Sequence, residues 1–229
     1  MLTLETRIEN GDFALAADLS IAKGRKVAVL GPSGSGKSTL LAGIAGFLSA
    51  TGRIAWEGRD LGPLAPADRP VSMIFQDNNL FPHLTAAQNV GLGLRPDLRL
   101  SRADDTRVDE ALAHVGLGGL GARKPGQLSG GQAARVALAR VMLRDKPILL
   151  LDEPFGALGP ALRDEMLDLV ARLADETGAT LLMVSHEPDD ARRIADEVIL
   201  VAEGRAHPPV ATAEIFANPP EALRDYLGG

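Results

Sequence analysis

Cysteine is missing from all 229 residues. That absence excludes a disulfide framework and any thiolate-based metal or redox centre. Aromatic residues make up only 3% of the chain, and no run interleaves them with basic side chains. The 24 Lys and Arg are outnumbered by 30 Asp and Glu, a net charge of −6, which argues against nucleic acid as a partner. Long apolar runs are missing too. The longest, "PILLLD" and "TLLMVS", have the length of a strand and fall well short of the roughly 18 residues that span a bilayer as a helix. The opening "MLTLETRIENGD" lacks a basic stretch followed by an apolar one, so no secretory signal is expected. The chain is expected to be soluble by itself, and any membrane role to come through a partner.

What is present is an alternation of strands and helices. "LTLETRI" alternates apolar and polar residues, as a half-buried strand does. "FALAADLSI" and "GRIAWEG" read as further strands. "KVAVL", "VSMIF", "PILLL", "TLLMVS" and "EVILVAEGR" are apolar runs separated by helical segments. That pattern indicates an α/β fold, a parallel sheet covered on both faces. Between about 85 and 145 the helical segments "TAAQNVGLGL", "ADDTRVDEALAHVGL" and "GGQAARVALARVML" dominate. They read as a helical insertion into a core of about 1–84 and 146–229. The tail reads as short helices broken at Pro219 and Pro220.

Chemistry enters at "GPSGSGKST", residues 31–39, which fits G-x-x-x-x-G-K-[ST] with Gly31, Gly36, Lys37 and Ser38 at the fixed positions. The intervening Pro32, Ser33, Gly34 and Ser35 complete a loop whose backbone N–H groups can curl around phosphates, ahead of a helix opened by Lys37, Ser38 and Thr39. In such a loop the lysine reaches the β- and γ-phosphates of ATP, and the Ser38 hydroxyl ligates Mg²⁺. "PILLLDEP" places Asp152 and Glu153 at the end of an apolar strand, where open α/β sheets bind ligands. Asp152 suits Mg²⁺, and Glu153 suits a base for the attacking water. A second anion-binding pattern lies downstream in "LSGGQAARVALAR": Ser129, then Gly130, Gly131 and Gln132 at the start of a helix. It has a cap and a positive helix end, but no lysine and no metal ligand. Taken alone it fits a plain helix N-cap as well as half of a phosphate site.

With these residues together the chain resembles the ATP-binding-cassette (ABC) ATPases, over essentially its full length as a single domain. The order of motifs is that of the family: the phosphate loop at 31–39, Gln76 in "MIFQD", "LSGGQ" at 128–132, "ILLLD" ending at Asp152 with Glu153 after it, and His186 in "VSHEP". The resemblance implies a RecA-like P-loop core, an N-terminal antiparallel β subdomain and a helical insertion subdomain. It also implies a homodimer in which the signature segment of one copy closes the ATP site of the other. Gln76 is implied to sense Mg²⁺ and the water, and His186 to contact the γ-phosphate. Two positions depart from the family. "GALG" places Gly159 where an Asp is usual, and only Phe13 is available near the N-terminus to stack on adenine.

Within the family, "RPVSMIFQDNNLFPHLTAAQNVGLGL" is similar to importer cassettes, with Leu80, Phe81 and Leu84 as candidate contacts to a membrane subunit or, equally, as packing between core and insertion. That stretch, with "PALRDEM" and "TLLMVSHEPDDARRIA", resembles the cassettes that energise bacterial thiamine uptake. The implied partners are integral membrane permease subunits and, indirectly, a periplasmic solute-binding protein, with the chain at the cytoplasmic face of the inner membrane. Uptake of another solute such as ferric iron or sulfate, or a non-transport ABC ATPase, are the alternatives.

Overall fold

In the computed structural model, which describes residues 1–76 and 79–227, the chain opens with an antiparallel pair, β1 (Leu2–Asn10) and β2 (Phe13–Ile21). Alternate side chains of β1 are buried, as expected of a sheet with one face wet. β3 (Lys26–Leu30) runs into the glycine-rich loop and α1 (Lys37–Ala45). β4 (Ala50–Trp56), β5 (Arg59–Asp60) and β6 (Val71–Ile74) follow. Three helices come next, α2 (Ala86–Gly91), α3 (Arg102–His114) and α4 (Gly130–Leu143). The chain then alternates through β7 (Ile148–Asp152), α5 (Pro160–Thr177), β8 (Thr180–Val184), α6 (Pro188–Ile194) and β9 (Glu197–Ala202). Short strands β10 (Arg205–Ala206) and β11 (Val210–Ala211) precede α7 (Thr212–Ala217) and α8 (Glu221–Leu227).

The parallel strands lie in the order β9-β3-β8-β7-β6, and the antiparallel ones in the order β5-β4-β1-β2. β10 joins the two sets, antiparallel to β9 and parallel to β2. Every residue of β8 is buried, because helices cover both faces of a parallel sheet. The fold class read from the sequence is therefore present: a P-loop α/β core, an antiparallel layer and inserted helices. The insertion shares one apolar cluster with the core, since Val108, Leu112 and Val136 pack in the same group as Leu149, Leu151 and Leu169. "TAAQNVGLGL" is helical only as far as Gly91.

Arg69 fastens the helix that carries the phosphate loop. Its guanidinium donates to the carbonyls of Gly43 (2.9 Å) and Ile44 (2.8 Å) near the C-terminal end of α1, and to Leu64 O at 3.3 Å. A buried cation is costly unless satisfied, and here the negative end of the helix and the carbonyls of its last turn satisfy it. Burial pushes the Arg69 guanidinium below its usual value, opposed by Asp60. Arg69→Met is expected to cost about 2–3 kcal/mol, read in thermal unfolding as a fall of roughly 5–10 °C.

Candidate nucleotide-hydrolysis site

Four parallel strands deliver the candidate residues to one edge of the sheet. β3 ends at Leu30, one residue before the phosphate loop, and β6 ends two residues before Gln76. β7 ends at Asp152, which pairs in register with Val184, the last residue of β8. The Glu153 amide donates to the Val184 carbonyl at 3.2 Å, which places Glu153 beside the turn that carries Ser185 and His186. Register therefore does what the motifs require.

The loop at 31–36 is held by close approach. A Cβ on Gly31 would lie 2.1 Å from the Val201 carbonyl oxygen, and the residue has φ +148°, so only glycine fits. Gly36, at φ +105°, sits under the ring of Phe13, which a Cβ would meet at 2.8 Å. Phe13 thus borders the phosphate loop. Pro32, Ser33, Gly34 and Ser38 are exposed, Ser35 and Gly36 half-buried, and Gly31, Lys37 and Thr39 buried. Lys37 Nζ donates to the carbonyls of Gly31 (2.8 Å) and Pro32 (2.9 Å). Burial pushes the Lys37 ammonium below the usual lysine value, and the carboxylates of Glu153 and Asp152 oppose that shift.

Ser38 Oγ donates to Asp152 Oδ1 at 2.9 Å. A hydroxyl and a carboxylate at this spacing form an oxygen pair suited to Mg²⁺, which takes one or two protein ligands and fills its other positions with phosphate and water. Burial holds the Asp152 carboxyl above the usual carboxylate range, and the Ser38 hydrogen bond acts against it.

Glu153 has φ +48°, a conformation that costs a non-glycine residue on the order of 1 kcal/mol or more and clusters at functional sites. It brings Oε1 to 2.6 Å from His186 Nε2. Gln76, Glu153, Ser185, His186 and Arg163 line one cavity of about 210 Å³. Sequence reading missed the support beneath His186. Ser185 Oγ donates to Asp190 Oδ2 at 2.5 Å, and Arg163 Nη2 reaches the same oxygen at 2.6 Å. Asp190 is almost fully buried, so its charge depends on these partners.

The signature segment stands apart. Ser129 and Gln132 form a reciprocal cap at the start of α4, with Gln132 N to Ser129 Oγ at 3.3 Å and Ser129 N to Gln132 Oε1 at 3.0 Å. Among the described residues, no hydrogen bond or ion pair joins 129–132 to 31–39, and none of 129–132 lines the Glu153 cavity. Of the two glycines only Gly130 is exposed. Gly131 is buried against Leu162, which a Cβ would meet at 2.6 Å, so the missing side chain lets α4 pack closely there. Gly159 is the cap residue of α5 without a side-chain bond, and a Cβ there meets nothing within 4 Å.

Near Gln76 an aromatic surface is exposed. Phe81 is 46% exposed and Phe47 is 54% exposed, with the Phe47 ring 5.6 Å from that of Phe75. Leu80 packs against the core cluster and Leu84 is half-buried, so of the apolar residues read from the sequence only Phe81 is presented outward. Phe47 went unread; the signal was an aromatic directly after the glycine that ends α1. Fully buried Asn89 fixes the Phe81 loop, accepting from Phe81 N and donating to the carbonyls of Phe81, Leu84 and Thr85.

Comparison with known proteins agrees with this geometry. Residues 16–156 match the family model described as ABC transporter. The chain is 64% identical over 222 residues to the thiamine import ATP-binding protein ThiQ of Cereibacter sphaeroides, covering 96% of each. It is 58% identical over 230 residues to the protein of the same name from a Ruegeria species, covering 100% of each. A solved dimeric ATP-binding cassette, MJ0796 bound to ADP and phosphate in a post-hydrolysis state, is 30% identical with TM-score 0.78, covering 92% of this chain and 97% of that one.

Asp152 generates a prediction with two signs. Because its folded pKa is raised, the stability it contributes is present at low pH, where it is protonated, and is lost as pH rises through that folded value. Near neutrality the buried charge is therefore a cost. Asp152→Asn is expected to raise the melting temperature of the nucleotide-free protein by about a degree or two while abolishing Mg²⁺-dependent turnover. Differential scanning calorimetry beside an ATPase assay checks both.

Proposed function

The chain belongs to the ABC transporter family, and from that premise we propose how its residues hydrolyse ATP to drive thiamine import. It is the ATPase subunit of a thiamine import transporter. The observation that carries the catalytic reading is the convergence of Lys37, the Ser38–Asp152 pair and the Glu153–His186 pair on one strand edge.

The backbone amides at 31–39 cradle the phosphates at the positive end of α1. Lys37 exchanges the carbonyls of Gly31 and Pro32 for β- and γ-phosphate oxygens. Ser38 and Asp152, with Gln76, would hold Mg²⁺, and the ion would supply charge neutralisation on the phosphate oxygens. Glu153 takes the proton of the water that attacks the γ-phosphorus as the bond to the β–γ bridging oxygen breaks. His186 steadies Glu153 and hydrogen-bonds the γ-phosphate. Phe13 faces the adenine.

A second copy completes the site. Ser129, Gly130 and the start of α4 offer a cap and a positive helix end with no bond to their own phosphate loop among the described residues, so each copy lends them to the other's ATP. Phe47, Phe75 and Phe81 form the dock for permease subunits. Among the described residues no helix is long and apolar enough to cross a membrane. Attachment at the cytoplasmic face therefore runs through that dock, and a periplasmic binding protein supplies thiamine from the other side.

Three variants test the division of labour. Lys37→Ala is expected to lose ATP binding. Glu153→Gln is expected to bind ATP, to lose roughly 10²–10³-fold in turnover and to accumulate as a dimer in light scattering. Ser129→Arg is expected to lose turnover and keep ATP binding. Undiminished hydrolysis in Glu153→Gln overturns the assignment of the base. Thiamine delivered by a binding protein to the reconstituted transporter is expected to stimulate ATP hydrolysis, and ferric iron and sulfate are not.

A further inference from the structure

Tyr226 is the only tyrosine of the chain, and nothing in the mechanism above uses it. It lies on α8, beyond the break at Pro219 and Pro220. Leu223, fully buried in a cluster with Leu30, Leu200 and Ile215, anchors that helix to the core. About one turn later the Tyr226 hydroxyl donates to the backbone carbonyl of His186 at 2.6 Å.

The peptide unit between His186 and Glu187 is consequently held at both ends. Its N–H, on Glu187, donates inward to Ser185 Oγ at 3.0 Å, and Ser185 is itself held by Asp190 and Arg163. Its C=O, on His186, is held outward by Tyr226. A peptide unit is planar, so fixing both polar ends fixes ψ of His186 and with it the direction in which the imidazole leaves the backbone. The imidazole is the group 2.6 Å from Glu153. Burial, then the carboxylates of Glu187, Glu153 and Asp190, raise the Tyr226 phenol above its usual value, so the hydroxyl stays protonated and remains a donor.

We propose that Tyr226 is a positioning residue for ATP hydrolysis, acting through the His186 peptide to keep the imidazole on Glu153. The inference rests on the reading of Glu153 and His186 given above. It makes the chain's tail part of the hydrolytic apparatus although the tail touches no reacting atom.

The test is Tyr226→Phe, which keeps the ring and removes one hydroxyl, compared in steady-state kinetics with the parent and with His186→Ala. Tyr226→Phe is expected to lower kcat about three- to ten-fold, the scale of one hydrogen bond. The KM for ATP is expected to stay within about two-fold and the melting temperature within about a degree or two. In the residual turnover of His186→Ala, adding Tyr226→Phe is expected to change nothing further. An unchanged kcat in the single variant, a change in KM alone, or an equal additional loss in the His186→Ala background each overturns the proposal, whatever happens to the melting temperature. Glu153→Gln separates this failure from that of the site reading. If Glu153→Gln stops turnover and Tyr226→Phe leaves it intact, only the role of Tyr226 falls. If Glu153→Gln turns over normally, the reading of the site falls with it.

Discussion

Ser38 and Asp152 are 114 positions apart in the chain and 2.9 Å apart in the fold. The rest of the site depends on that hydrogen bond being possible. It requires the helix after β3 and the end of β7 to meet across β8, which lies between those strands. The parallel ladders set the meeting, since Val29 and Asp152 both pair with Val184. A slip of one residue in the β7–β8 ladder would turn Asp152 to the other face of the sheet and remove the carboxylate from the phosphate loop. The complete burial of β8 therefore helps specify the geometry of the polar site at its C-terminal end, where Val184 accepts from the Glu153 amide.

The candidate residues fall into two groups. One end of the parallel strands gathers the lysine, the candidate metal-binding oxygens, the candidate base and the histidine. The helix end at Ser129 is capped and has no bond to that edge among the described residues. A capped, partly exposed helix end is a stable feature in isolation, so the proposed split between two copies would leave no uncapped helix end on either one. Burial of Gly131 under Leu162 ties this end of α4 to α5, whose first residue follows Gly159.

Legibility in the sequence followed the range of the interactions. The phosphate loop, Asp152, Glu153 and His186 could be read because a few contiguous residues carry each motif and apolar runs fix their place at strand ends. The long strands could be read from burial periodicity. Strands of two residues, β10 and β11, are too short to show a period, although β10 joins the two parts of the sheet. The Arg163–Asp190–Ser185 network, the Arg69 clamp on α1 and the Asn89 staple were not legible, because each is a polar side chain whose partner is set by packing. Arg163 reads as an exposed helical charge until α6 is brought against α5. Gly131 shows the converse: its motif was plain, and its burial was visible only once Leu162 was placed beside it.

The lysine of the phosphate loop carries one more consequence. Its ammonium rests on the carbonyls of Gly31 and Pro32, so the loop's own dipoles partner its cation, and the close approach of Gly31 to Val201 fixes the loop's shape. The form of the cradle therefore rests on contacts within the chain itself: a lysine tethered to its own backbone and a glycine seated on a neighbouring strand.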